Sequence, residues 1–392
     1  MLPHVYRVTK YDPADRDERG RYLGTEDTLS DHGPVEAAYV AAVAAFAADS
    51  GVGVLEVREP QLPFGTVHFG LEPAYGGDAL DALLPGGREG LHDGLPVDLP
   101  TGQELVRAML RDSGFWGRLE VEGRFAVHVG WDLYLYVGSH LPCERAVAAT
   151  GASGLFVERI TASPYDGEPE PREIEQRPAD REFWERLRRC VERGEAALLE
   201  EGYAHNRARW HRLTPANLDV VRARLAPRAL LSVRPDVLGD AGAVAARLAA
   251  TTEEDDTFEL VVEHADGRIT GGVHEPGTAA PDLSAARGAA LLSIYAGEDL
   301  PLFTAVRPDP DGVLRARWRT DPAPGDFRWA RLRALRVGEQ VVVEVGADGV
   351  AGLDGLPVRW SGGDPPPGGR VAGRITAVDL VRERVEVVPT GW

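Results

Sequence analysis

Two stretches of this chain combine the residue types that bind polyanions. In the first, Arg315, Arg317, Trp318 and Arg319 are followed by Phe327, Arg328, Trp329, Arg331, Arg333 and Arg336, and only Asp321 and Asp326 interrupt the seven arginines. Guanidinium groups take phosphates and flat rings stack on bases, so the pattern points to a single-stranded nucleic acid. Alternation along a strand over 313–319 puts Arg315, Arg317 and Arg319 on one face and turns Trp318 away, which leaves Trp329 as the stacking ring. A solvated edge strand carries the same kind of ladder. In the second stretch, Arg207, Arg209, Trp210 and Arg212 stand with His205 and His211 after an acidic segment. Cations near a helix C-terminus would look alike. The candidate nucleic-acid contacts are therefore Arg315, Arg317, Arg319, Trp329, Arg331, Arg333, Arg207, Arg209, Trp210 and Arg212.

Other candidates compete with plainer readings. His32 precedes a helix N-terminus, where anions are favoured, and His4, Tyr6, Arg7 and Lys10 stand on a nearby strand. A local cap at Ser30 or Asp31 beside a surface His32 accounts for the same residues. Tyr134 and Tyr136 share one face of a hairpin that also carries His128, Trp131 and Asp132, and either stack on bases or pack in the core. No nucleophile elbow, phosphate loop, zinc-protease helix or dinucleotide glycine run is present. No catalytic residue is assigned and no cofactor or metal is implied; Cys143 and Cys190 lie too far apart for a metal spacing. A nuclease assembled from His128, Asp132 and an arginine would leave no trace in spacing.

Net charge works against polyanion binding by the whole surface. The chain carries −19; residues 315–392 hold 12 arginines and 10 acids, so residues 1–314 account for −21. Lys10 is the only lysine. With the Ala, Gly and Pro load, this reads as a GC-rich coding sequence. At 392 residues, two or three domains are expected. The first thirty residues are charged and lack an apolar core, and no segment approaches eighteen apolar residues, so a soluble, cytoplasmic protein without membrane contact is expected.

These residues must be positioned by an α+β framework. The sequence predicts strands over 4–10 and 52–58 around a helix over 34–49, and an irregular stretch over 60–100. A helix over 101–113 opens on a capping box of Thr101 and Glu104. Strands over 117–121, 125–129 and 132–137 follow, then a helix over 142–150. Four prolines and six acids make 163–180 a linker between an N-terminal α+β domain (1–162) and a helical and hairpin middle (181–330). The middle is read as an amphipathic helix over 181–204, a helix from Thr214 to Arg224, and a hairpin of 258–264 with 268–274 across Asp266-Gly267. Further strands are read over 291–295, 303–307 and 313–319.

The last part, 331–392, reads as five short strands over 340–345, 349–353, 357–360, 371–378 and 384–388, the content of a small OB-like barrel. The stretch VAGRITAVDLVRERV, 371–385, resembles the last hairpin of OB-fold RNA-binding repeats in ribosomal and exosome proteins, with Val378-Asp379 and Arg382/Arg384 at the turn and Val337-Gly338 like their opening. Trp360 is the aromatic nearest to where such repeats carry exposed rings. Farther upstream, HVYRVTKYDPADRD (4–17), SDHGPVEAAY (30–39), VHVGWD (127–132) and PCERA (142–146) resemble a streptomycete family labelled only RNA-binding protein, over roughly 2–166. That resemblance implies the label and no reaction.

The expected function is a cytoplasmic RNA-associated binding protein without catalysis, binding weakly and salt-sensitively. A protein–protein or regulatory factor using the acidic surface is the first alternative. A hydrolase or nuclease with its site in the N-terminal domain is the second. Electrostatics separates the first two, since a continuous basic groove favours RNA and isolated arginines in an acidic field favour a protein partner.

Overall fold

The computed structural model describes residues 2–19, 21–25, 30–62, 77–130, 133–165, 176–251, 257–274, 281–294, 298–318, 330–347, 349–353, 355–361, 368–380 and 383–390. Two seven-stranded sheets and one closed barrel account for the strands. The fold is mixed α+β and mostly sheet.

Sheet I comprises β1 (His4–Thr9), β2 (Val54–Gln61), β3 (Leu95–Asp98), β4 (Trp116–Val121), β5 (Phe125–Val129), β6 (Leu135–Ser139) and β7 (Phe156–Ile160), in the order β3-β2-β4-β5-β6-β1-β7. Alternation turns Val8, Leu55, Val57, Leu119, Val127, Leu135 and Val137 into the core. Helix α1 (Pro34–Asp49) packs on α3 (Leu99–Leu110) and α4 (Glu144–Ala152). Pro34 opens α1, and the Asp31 carboxylate accepts the N–H groups of Gly33, Val35 and Glu36. The cap of α3 differs from the expected Thr101–Glu104 box. Asp98 accepts the Thr101 N–H at 2.9 Å, and Glu104 pairs with Arg107 instead. The stretch 60–100 is not wholly irregular: it holds the end of β2, the short α2 (Gly77–Leu83) and β3.

Sheet II comprises β8 (Leu198–Ala204), β9 (Arg207–Arg212), β10 (Leu230–Arg234), β11 (Phe258–Glu263), β12 (Ile269–His274), β13 (Gly288–Ser293) and β14 (Phe303–Val306), in the order β13-β11-β12-β9-β8-β10-β14. The middle is thus a seven-stranded sheet with α5 (Arg181–Glu192), α6 (Leu218–Arg224) and α7 (Ala241–Ala250), larger than the helical segment and small sheet expected. The helix expected over 181–204 stops at Glu192. Gly194 takes the left-handed conformation (φ 73°), and 198–204 alternates in burial and pairs with β9 and β10. The 205–212 cluster consequently lies on a strand and not at a helix end. The Asp266-Gly267 hairpin forms as expected.

One buried cluster runs from Tyr6 to Ala305 and draws on both sheets. Backbone bonds join them as well: His205 N–H donates to Pro60 at 2.7 Å and Leu62 N–H to His205 at 3.2 Å. Of the expected linker, 166–175 lies outside the described residues, and Pro178 bridges to Val306 on β14.

The barrel is formed by β15 (Gln340–Val345), β16 (Ala351–Leu353), β17 (Leu356–Trp360), β18 (Gly369–Asp379) and β19 (Arg384–Pro389), closed in the order β15-β16-β17-β19-β18. Its own cluster centres on Leu332, Val343, Ile375, Val385 and Val387. β17 and β19 are parallel; β18 and β19 are antiparallel, with Asp379 opposite Arg384. No helix among the described residues is long and apolar enough to cross a membrane.

Candidate functional site

The densest polar constellation lies where the open face of sheet I meets sheet II. Leu55 and Val57 of β2 point into the core, so Glu56 and Arg58 point out; on β4, Leu119 points in while Arg118 and Glu120 point out. Asp93, in the loop before β3, accepts Arg58 Nε at 3.1 Å and the Glu59 N–H at 2.8 Å. From the other side Arg228 reaches Asp93 and Glu56, both at 3.1 Å, and forks onto Asp309 at 2.8 and 3.0 Å. Arg315 extends the chain to Asp309 (2.8 Å) and Asp311 (2.7 Å), and its carbonyl accepts from Arg58. Arg317 meets Glu120 at 3.0 Å, and Arg118 takes the other oxygen of that carboxylate at 2.8 Å. Gly94 makes room: a Cβ there would lie 2.5 Å from the Arg228 guanidinium.

Charge balance sets the protonation states. Burial alone would push Glu120 up, but the Arg317 hydrogen bond and the charges of Arg118, Arg317 and Arg58 outweigh it and hold the carboxyl below its ordinary value. Asp309 likewise is lowered against burial by Arg228 and Arg315. Arg315 and the Val313 N–H hold exposed Asp311 down to about 2.

The predicted contacts are therefore scattered and largely engaged. Arg315 and Arg317 belong to this seam, and residues 313–318 form no strand among the described residues. Trp318 is buried, donates to the Arg228 carbonyl at 2.7 Å and packs on the His205 ring, although no strand forms to turn it there. Arg319 and Trp329 lie outside the described residues. Arg331 and Arg333 sit in a helical turn over 330–334, where Arg333 meets Glu182 at 3.4 Å. On β9, Arg207 donates to the Asn206 carbonyl, and Arg209 crosses the Tyr203 ring and bonds Glu201 at 3.1 Å. Trp210 is buried and donates to Glu259 at 3.2 Å, while Arg212 bridges Asp236 (2.7 Å) and Glu263 (2.5 Å). Among the described residues, Arg209, Arg212, Arg315, Arg317 and Arg333 are each paired with a carboxylate.

No family model matches this chain, and no curated protein or solved structure shows a detectable similarity to it.

The remaining candidates resolve toward packing. Tyr134 and Tyr136 are buried beneath Tyr11, Tyr22 and Tyr165. His128 stacks on Tyr136 and lies 3.2 Å from Ser163 Oγ, with both residues about 5% exposed. Trp131 and Asp132 fall outside the described residues. Asp31 occupies the N-terminus of α1, which leaves His32 exposed beside it. Sequence reasoning missed Glu56, Arg58, Asp93, Glu120, Arg228 and Asp309. Each is an ordinary charged residue in its local context, and only the pairing of distant segments makes a network of them.

Proposed function

We propose that this chain is a cytoplasmic, RNA-associated binding protein without catalytic activity, and that RNA meets it on the C-terminal barrel rather than on the Arg/Trp run. The observation that carries this reading is the contrast between two sets of arginines. Those of the seam are held by carboxylates within the fold. Three of the barrel face outward: Arg359 is 61% and Arg370 72% exposed, at 3.3 Å and 3.8 Å from acids, and exposed Arg374 has no ion-pair partner among the described residues; Arg384, 27% exposed, pairs with Asp379. A closed five-stranded barrel supports the OB reading, and OB barrels bind oligonucleotides. Trp360 packs against the barrel core, so phosphate contacts rather than stacking would dominate.

Anisotropy of a labelled single-stranded RNA, read across a salt series, tests this. Replacing Arg359, Arg370 and Arg374 together with alanine should lower the slope of log affinity against log salt by roughly 0.7 for each phosphate no longer neutralised, with thermal stability unchanged. No affinity at low salt, or a triple variant that binds identically, overturns the proposal. A protein partner is the second reading. It is favoured by the exposed Val337, Val342, Val350 and Leu380 on the same module. In that case Val342→Asp would abolish partner binding while the arginine variant would not.

A further inference from the structure

Sheet II is continuous in strand order but not in backbone bonding. The ladder between β12 and β9 is one residue pair long, Ile269 opposite Trp210, so β13-β11-β12 hangs on β9-β8-β10-β14 along a weak line. Two side-chain bonds cross that line: Arg212 of β9 pairs with Glu263 of β11 at 2.5 Å, and Trp210 Nε1 donates to Glu259 Oε1 of β11 at 3.2 Å. On the same face, Glu200 stands opposite Trp210, and its carboxylate takes Arg234 Nε at 2.8 Å. The Arg234 guanidinium lies 5.6 Å from the Trp210 ring and also donates to the Asp299 carbonyl. Glu200 thus holds the cation, and Glu259 lies near enough to feel both charges, on a surface packed by Val237 and Leu238.

Other charges on this face are committed elsewhere. Arg212 is held by Asp236 and Glu263, and the Asp299 carboxylate takes the Ser293 N–H. Glu298 is exposed. The strands flanking β11 oppose Glu259 with Val273 and Leu292, which carry no charge. The acids of 253–256 lie outside the described residues.

We infer that Glu200, Glu259 and Arg234 form a proton-linked latch across the β12–β9 line. A proton kept on Glu259 leaves Arg234 to Glu200 and seats β11 against Trp210. Loss of that proton sets two carboxylates against one guanidinium and loosens the β11–β12 hairpin. Burial, with the Glu200 charge second, pushes the Glu259 carboxyl up to about 7, against the opposing Trp210 bond and Arg234 charge. For an acid raised in the closed state, closure is most stable below the ordinary carboxyl value and weakens as pH rises to about 7.

Hydrogen-exchange mass spectrometry of the full chain, corrected for intrinsic rates, reads the opening of β11 and β12 against α3 as an internal reference. Between about pH 5 and about pH 7 the opening constant of the hairpin should rise roughly tenfold per pH unit and then level off. Glu259→Gln should hold it flat over the same window. Glu200→Gln frees Arg234 for Glu259 and should move the rise to lower pH. A Glu259→Gln protein with the wild-type pH dependence overturns the latch. So does a Glu200→Gln protein with an unmoved profile, which decides the matter if the first variant fails to fold.

Discussion

Arg228 and Asp309 meet through two parallel bonds, Nε to Oδ1 at 2.8 Å and Nη2 to Oδ2 at 3.0 Å, while the remaining nitrogen of the same guanidinium reaches Asp93 and Glu56. This fork–fork geometry belongs to arginine alone. Arg228→Met would leave Asp93 to Arg58 and Asp309 to Arg315 alone, at a cost in unfolding free energy below the about 3–5 kcal/mol of a fully uncompensated buried charge. Arg228→Lys keeps the charge, loses the fork and should recover only part. A denaturant midpoint for Arg228→Met equal to that of wild type would refute the structural role assigned to the seam.

Gly94 offers a separate test of the same packing. It combines a positive φ of 83° with a guanidinium 2.5 Å from where Cβ would lie. Gly123 has a positive φ of 68° and open space around it. Gly123→Ala should cost about 1 kcal/mol from backbone strain alone, and Gly94→Ala clearly more, because the Arg228 network must also shift. Equal thermal shifts for the two variants would sink the argument.

Acid should dismantle the seam. Glu120 and Asp309 are lowered in the folded chain, so the stability they contribute is present above their ordinary values of 4.5 and 3.8 and is lost as pH falls through the folded ones. Buried Glu201, lowered against burial by His211 and the Ala226 N–H, acts in the same direction. Unfolding midpoints measured downward from about pH 5 should therefore drop, and Glu120→Gln should flatten part of that drop. A flat wild-type profile in this range contradicts the assignment.

The Arg/Trp run should behave as structure. Arg317→Ala is expected to lower stability by roughly 1 kcal/mol, less than a fully buried pair because the guanidinium is half-exposed. It should leave the salt slope of RNA binding where it was. A variant that keeps its unfolding midpoint and loses salt dependence would return this segment to the nucleic-acid reading.

How much of this was legible depends on sequence distance. The five barrel strands could be read because period-2 alternation and turn residues lie within each segment. The helix over 181–204 was overextended because Leu198 and Leu199 continue its apolar spacing, and only sheet partners far along the chain make 198–204 a strand. The arginines resembled a polyanion site because the acids that neutralise them are remote: Glu120 and Arg317 are 197 residues apart. Composition marked 163–180 as a linker, but no local signal reveals that apolar residues on both sides enter one core.

That remoteness also has a consequence during synthesis. Arg58 leaves the ribosome 257 residues before Arg315, and Glu120 leaves it 197 residues before Arg317. At roughly 5–20 residues per second, the nascent sheet I remains without the 315–317 segment of the seam for on the order of 10–50 s. Throughout that interval the emerging half is strongly anionic, which keeps it dispersed, while apolar side chains destined for sheet II stay uncovered. The polar seam of the N-terminal half is therefore completed only after residues 315–317 have emerged.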